Sequence, residues 1–227
     1  MRGPHSGAAA RERLAQARLY VCTDARTALG DLAEFIDAIT AAGPDGGGVD
    51  IVQLRDKSLD ARETIAALTV VRERCEANGA LWCVNDCADI AASIGAPVVH
   101  VGQDDLSPAA VRAIVGPDVL IGQSTHSAAD LAGAIADCDV DYFAVGPLWA
   151  TPTKPGRPAA GLGYLEQAVA ATSHKPWFAI GGIDETNISE VISMGASRVV
   201  VVRAVTEARD PAAAVRALRS RLMPIAG

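Results

Sequence analysis

No apolar run in the 227-residue sequence approaches the ~20 residues that span a bilayer, which argues against a membrane-crossing helix. The opening segment, Met1 to Ala10, lacks the apolar core of a secretory signal, and Gly3-Pro4-His5-Ser6-Gly7 reads as a flexible tail. No run of Lys and Arg exceeds two residues and the formal net charge is −7, so neither a nucleic acid nor a membrane surface is an expected partner. The five cysteines (Cys22, Cys75, Cys83, Cys87 and Cys138) form no CxxC pair and no even set for disulfides. Reduced, buried thiols and a cytoplasmic location are expected instead. Charged residues are sparse, at 21%, and mean hydropathy is +0.21, which excludes a mostly disordered chain. With half of its residues hydrophobic, the chain can bury one sizeable core. Length alone allows one large α/β domain or two small ones.

Short β-branched runs alternate with Ala-rich helical stretches along the whole chain. Strands are expected at Arg18–Asp24, Val49–Arg55, Ala80–Asn85, Pro97–Val101, Asp118–Gln123, Asp141–Gly146, Pro176–Gly181 and Arg198–Val202. Their nearly continuous apolar character suits strands covered on both faces. Between them, Leu32, Phe35, Ile36 and Ile39 make a helical stripe. Ser58 precedes a helix through Ile65, Leu68 and Val71 that ends near Asn78-Gly79. Ser107-Pro108 supplies an N-cap and a first-turn proline for a helix reaching Val115 and Gly116. Asp184 and Asn187 open another helix that stops at Gly195, and Pro211 to Leu222 forms a terminal one. A short extra helix is expected at Arg11–Ala17, in front of the first strand.

A strand–helix repeat of roughly 28 residues predicts a single-domain (β/α)8 TIM barrel over residues 11–227 behind a tail at 1–10. A doubly wound open sheet is the alternative. The G-x-G-x-x-G that such folds carry after the first strand is missing; that turn reads Cys22-Thr23-Asp24-Ala25-Arg26.

In a barrel the strands' C-terminal ends form the active face, and the polar residues here gather at those ends. The second strand ends Gln53-Leu54-Arg55-Asp56-Lys57; alternation points Gln53 and Arg55 the same way, and Lys57 continues that face, suiting an anionic ligand. Asn85-Asp86 ends the third strand, and His100-Val101-Gly102-Gln103-Asp104-Asp105 follows from the fourth. Carboxylates from neighbouring strand ends can hold one Mg2+ between them and a phosphate, although capping or salt-bridging fits the spacing equally well. His100 reads as a core histidine with a satisfied hydrogen bond. Ser124-Thr125-His126 is expected after the fifth strand. After the sixth comes a Pro-rich loop with Thr151, Pro152, Thr153, Lys154 and Arg157, whose hydroxyls and lysine suit phosphate oxygens and which can close over a ligand. Gly181-Gly182-Ile183 and Val202-Arg203 end the last two strands, where backbone N–H groups often cradle phosphate.

Assembled in this order, the motifs resemble the thiamine-phosphate synthase family from Leu19 to about Leu218. The resemblance rests on Gln-Leu-Arg-Asp-Lys at 53–57, Asn85-Asp86, His-Val-Gly-Gln-Asp-Asp at 100–105, Gly-Pro…Thr-Pro-Thr-Lys at 146–154 and Ala-Ile-Gly-Gly-Ile at 179–183. The Arg18-Leu19-Tyr20-Val21-Cys22-Thr23-Asp24 opening is similar to the actinobacterial branch. The resemblance implies condensation of a hydroxymethylpyrimidine diphosphate with a thiazole phosphate, releasing diphosphate with the help of one Mg2+ per site. It assigns Gln53, Leu54, Arg55, Asp56, Lys57, Asn85, Ser124 and Lys154 to the pyrimidine diphosphate and Asp86 and Asp105 to the metal. Thr151, Pro152, Thr153, Gly182, Val202 and Arg203 fall to the thiazole phosphate. Arg55, Lys57, Lys154 and Ser124 are the expected catalytic residues. Arg203 stands where many members carry serine; a guanidinium there can bind the phosphate more strongly or point away. The sequence is compatible with a homo-oligomer.

Two rival functions remain open at this stage. A thiazole tautomerase of similar fold would need acid/base groups, for which His126 is the one candidate, and would leave Asp86 and Asp105 without a purpose. A non-catalytic binder would hold the thiazole phosphate and release no diphosphate.

Overall fold

Eight parallel strands close on one another in sequence order, from β1 (Leu19–Thr23) through β2 (Ile51–Leu54), β3 (Leu81–Asn85) and β4 (Val98–Val101). The ring continues with β5 (Leu120–Thr125), β6 (Tyr142–Val145), β7 (Trp177–Ile180) and β8 (Val199–Val201), and β8 pairs back to β1 through Leu19 opposite Val199. The computed structural model describes residues 7–41, 47–150 and 159–223. The helices on the outside are α1 (Gly7–Gln16), α2 (Leu32–Thr40), α3 (Ala61–Asn78), α4 (Ala88–Ile94) and α5 (Pro108–Val115). They continue with α6 (Ala128–Ala136), α7 (Leu162–Ala170), α8 (Ile188–Ser193), α9 (Arg203–Thr206) and α10 (Pro211–Arg219). The open-sheet alternative is thereby excluded, and no helix among the described residues is long and apolar enough to cross a membrane.

Alternation along the strands builds two separate cores. Tyr20, Cys22, Ile51, Leu81, Cys83, Val98, Leu120, Tyr142, Phe178 and Val200 fill the inside of the barrel. Their neighbours in sequence, such as Val21, Val52, Leu54, Trp82 and Val99, pack outward against Phe35, Ile36, Leu68 and Val71 of the helical layer. The strands are largely buried on both sides, and so they read as nearly continuous apolar runs.

α1 seals the end at which the strands begin, because Ala10, Leu14 and Ala17 join the inner cluster. This helix starts at Gly7, four residues before the expected boundary at Arg11. Ala8, Ala9 and Ala10 are strong helix formers, and Gly7 is buried so close to Asp118 that a Cβ would lie 2.8 Å from its Cα. The same end is tied by Asp50, whose Oδ2 accepts from the backbone N–H of Arg18 at 2.7 Å and of Leu19 at 2.9 Å and pairs with Arg219.

Local signals set most helix ends. Ser107 caps α5 and Pro108 fills its first turn, as its sequence indicates. α3 begins differently: its cap is Asp60, in a reciprocal capping box with Glu63, while Ser58 donates to Asp56 at 2.6 Å. Its C-terminus is closed by Gly79 at φ 77°. α10 ends at Arg219, three residues short of the expected Leu222.

Candidate active site at the C-terminal rim

The strands' C-terminal ends surround a cavity of about 550 Å³, within the range of small-molecule sites. Gln53, Arg55, Lys57, Asn85, Asp86, Asp105, Ser124, Gly182, Val202 and Arg203 all line it. Ten of the residues singled out from sequence thus converge, from β2, β3, β5 and the loops after β4, β7 and β8.

Two of the candidates are placed elsewhere. Leu54 is 4% exposed in the outer core, since alternation turns it away from the face of Gln53 and Arg55. Asp56 fastens the loop: its carboxylate accepts from Ala25 N–H at 3.2 Å and from Ser58 N–H at 3.0 Å. Thr151, Pro152, Thr153 and Lys154 lie outside the described residues. Ser124 and Thr125, expected after the fifth strand, are its last two residues. Ser124 therefore faces inward, and Thr125 faces out to accept from the Tyr164 hydroxyl at 2.7 Å.

Asp86 is the most unusual residue at the rim. It sits at φ 62°, a left-handed conformation rare for residues other than glycine. Its backbone N–H donates to the His100 carbonyl at 2.9 Å, which holds the turn against β4. Its carboxylate lies 3.1 Å from Lys57 Nζ and within hydrogen-bonding reach of Asp105. Asp105 is positioned by the Gly102 N–H, which donates to its Oδ2 at 2.8 Å. Burial above all pushes the Asp86 carboxyl above its ordinary value; Lys57 opposes that push and Asp105 adds to it. Two carboxylates held against each other beside a single lysine repel in the absence of a further cation. Their hard oxygen donors fit a divalent ion such as Mg2+.

The loops after β6 and β7 brace one another. Leu148 N–H donates to the Ile180 carbonyl at 2.9 Å and Trp149 N–H to the Gly181 carbonyl at 3.1 Å. Gly182, at φ 71°, passes so close to Trp149 that a Cβ would lie 2.8 Å from the Trp149 Cβ. A glycine is required there on both counts. Arg203 opens α9, lines the cavity and lowers the neighbouring Asp184 carboxyl, after the larger effect of the Thr186 hydroxyl.

Sequence reasoning gave no role to Cys22 or Gln103, which border the cavity together with His126, weighed there only as a tautomerase acid/base group. Gln103 Nε2 donates to the Ser124 carbonyl at 2.6 Å, and His126 Nδ1 donates to the Gly146 carbonyl at 2.5 Å. Applying the inward-facing alternation of β2 to β1 would have found Cys22. His100 is a core histidine with satisfied hydrogen bonds, as expected, and one of them goes to Ser124.

Comparison with known proteins agrees with this geometry. A family model described as thiamine monophosphate synthase matches residues 19–205, a span containing every site residue named above. A thiamine-phosphate synthase of Thermobifida fusca (strain YX) is 57% identical over 216 residues, covering 95% of this chain and 97% of that protein. One of Mycobacterium sp. (strain KMS) is 54% identical over 219 residues, covering 92% of this chain and 94% of that protein. Among solved structures, a thiamine phosphate pyrophosphorylase from Pyrococcus furiosus superposes with a TM-score of 0.78 at 27% identity, covering 93% of this chain and 96% of that one.

Proposed function

The chain belongs to the thiamine monophosphate synthase family, and from that premise we propose that it joins a hydroxymethylpyrimidine diphosphate to a thiazole phosphate, with or without a ring carboxylate. The products are thiamine monophosphate and diphosphate, together with CO2 where the thiazole carries the ring carboxylate. The observation that carries this reading is the facing pair Asp86 and Asp105 beside Lys57, at a cavity that Arg55 also lines and that is floored by Gln53, Asn85 and Ser124. It offers charge for a diphosphate and hydrogen bonds for a polar ring in one place.

The reaction breaks the bond between the pyrimidine's methylene carbon and the diphosphate oxygen, whose electron pair leaves with the diphosphate. Arg55 and Lys57, joined by Lys154 from the loop after β6, hold the negative charge that develops on that group. Such preorganised electrostatics is usually the largest catalytic contribution. A Mg2+ held by Asp86 and Asp105 would neutralise diphosphate oxygens. The thiazole nitrogen, already a nucleophile, attacks the resulting carbocation without a general base. Thr151, Thr153, Gly182 and the Val202-Arg203 turn hold the thiazole phosphate and so aim that nitrogen. His126 donates its Nδ1 proton to a backbone carbonyl, which anchors the ring that a tautomerase would use for proton transfer. The thiols of Cys22, Cys75 and Cys83 are buried as expected, whereas Cys87 and Cys138 are exposed; five unpaired thiols suit a reducing compartment such as the cytoplasm.

Diphosphate release measured with both substrates, each alone, and with Mg2+ chelated tests the reading. Release and thiamine phosphate formation are expected only when both substrates and Mg2+ are present. Equal release without the thiazole phosphate, or full activity under chelation, would overturn it. Lys154→Ala is expected to lower kcat and leave the fold intact; unchanged turnover would remove that residue from the leaving-group site.

A further inference from the structure

The two carboxylates that face each other at the rim are held there in different ways. Asp86 follows directly from β3, is partly buried, and is fixed through its own backbone, whose N–H donates to the His100 carbonyl at 2.9 Å. Asp105 is exposed and sits four residues beyond the end of β4, on a turn. An exposed side chain on a surface turn is ordinarily free to sample many positions. Repulsion from Asp86 favours those that lie farther away. Two contacts oppose that freedom. The Gly102 N–H donates to Asp105 Oδ2 at 2.8 Å, which folds the carboxylate back over the start of the turn. One residue further on, Gln103 Nε2 donates to the Ser124 carbonyl at 2.6 Å and so ties the turn to β5. The acceptor is a backbone carbonyl, so the amide nitrogen is the end of the Gln103 side chain that meets it, and the direction of this bond is fixed.

The turn is also shaped around an empty space at Gly102. A Cβ there would lie 2.9 Å from Asp105 Oδ2. Apart from its chain neighbours, Asp105 is the only described residue that such a Cβ would meet within 4 Å. A side chain at this position would therefore displace the carboxylate and leave the surrounding backbone where it is. Gly102 and Gln103 line the same cavity as Asp86 and Asp105. The absence of a side chain at one residue and the amide of the next thus act on the same thing, the place where the Asp105 oxygens stop.

We propose that Gln103, together with Gly102, is a positioning residue for the divalent cation: by latching the turn after β4 to the end of β5, it holds the Asp105 carboxylate opposite Asp86 and sets the affinity of the pair for the metal. The inference rests on the Mg2+ reading of the preceding subsection and deepens it from which residues hold the ion to what holds those residues. In this role Gln103 touches neither the metal nor the reacting atoms. It acts through Asp105, by keeping a like-charged pair assembled before the ion arrives. Contacts that orient metal ligands in this way are typically worth 10–100-fold in metal affinity or activity. A hydrogen bond from Gln103 to the substrate itself is the competing role, and it would show in substrate affinity instead of metal affinity.

The first test needs no turnover. Mn2+ alone, titrated into the full-length protein and followed by the EPR signal of the free ion, measures the site directly. Asp105→Asn should abolish the binding, which locates it at the carboxylate pair. Gln103→Met keeps the length of the side chain and loses the donor, and it should raise the Mn2+ dissociation constant by about tenfold. Gly102→Ala keeps both N–H donors and should raise it by a similar factor. The Tm of Gln103→Met without metal should stay within about 2 °C of the wild-type value, as for other exposed positions. In steady-state assays its kcat should recover at saturating Mg2+, with KM for the pyrimidine diphosphate unchanged there. Wild-type Mn2+ affinity in folded Gln103→Met would overturn the latch alone. So would a defect that saturating Mg2+ leaves in KM for the pyrimidine diphosphate. Absence of Mn2+ binding by the wild-type protein, or binding that survives Asp105→Asn, would overturn the metal reading and the latch with it.

Discussion

Asp50 and Asp86 stand at opposite ends of the barrel, and their partners differ in kind. Asp50, at the closed end, accepts two backbone N–H groups and pairs with Arg219. Asp86, at the open end, sits in a left-handed conformation and faces a second carboxylate, with an exposed lysine as its counter-charge. One carboxylate is surrounded by backbone amides and a guanidinium; the other faces a like charge with Lys57 alongside. A parallel contrast runs through the barrel interior, where apolar side chains packed on α1 give way toward the rim to hydrogen-bonded pairs beneath the cavity, Ser124 with His100 and Gln53 with Asn85.

The contrast makes opposite predictions for substitutions at the two ends. Arg55→Ala should lower kcat by on the order of 10²–10³-fold, the loss typical when a preorganised charge-stabilising group is removed. Its Tm should fall less than that of Asp50→Ala, because Arg55 lines the cavity rather than the core. Asp50→Ala should do the reverse. It strands the Arg18 and Leu19 amides and the Arg219 guanidinium, which costs about 2–3 kcal/mol. In a domain of this size that corresponds to a fall in Tm of roughly 4–12 °C, with kcat per folded molecule unchanged. Thermal denaturation and steady-state kinetics on both variants check the pair; a large Tm loss in Arg55→Ala or a large kcat loss in Asp50→Ala breaks the contrast.

Gly122→Ala probes the boundary between the two regions. The new methyl must displace the Tyr142 ring, the His100 ring or both, at a cost of about 1–3 kcal/mol. Because His100 holds Ser124, KM for the pyrimidine diphosphate should rise along with the loss of stability. A denaturant titration and a KM measurement would show whether the two effects travel together.

How far the sequence reveals these regions depends on how local each signal is. The eight strands are legible because burial on both faces makes each one a nearly continuous apolar run, as in Val199–Val201. Gln53 on the inward face of β2, and Arg55 and Lys57 that extend that face beyond the strand's end, are legible by alternation. Leu54 and Asp56 enter the site with the 53–57 motif that carries the resemblance, and the same alternation removes Leu54. The contacts among the inward-facing polar side chains are not legible, because nothing in one strand's pattern shows that Tyr142 meets His100 across Gly122. The start of α3 was missed for a smaller reason: Ser58 and Asp60 are both good caps, and the choice was made by Glu63 three residues beyond Asp60.

Arg26 sharpens the comparison from within the open end, since it is a charged rim residue that serves the fold. It lies at φ 51°, stacks 4.1 Å from the centre of the Phe35 ring and donates twice to Asp31, at 2.6 and 2.8 Å. It also donates to the Thr206 carbonyl at 3.2 Å, tying the loop after β1 to α9. The Arg26 hydrogen bond, more than any other influence, holds the Asp31 carboxyl below its ordinary value. The folded state therefore takes up a proton at Asp31 less readily than the unfolded chain does. The pair's contribution is fully present above the ordinary carboxylate pKa and is lost as pH falls through the lowered one. With the Asp31 side chain 41% exposed, solvent screening keeps that contribution below about 1 kcal/mol. Asp31→Asn should accordingly lower Tm by about 1–3 °C at pH 7, and the gap from wild type should close as the pH is taken well below the ordinary carboxylate range. Calorimetry at the two pH values decides the matter: a gap that persists in acid would assign the effect to lost packing around Arg26 and Phe35 rather than to the charge on Asp31.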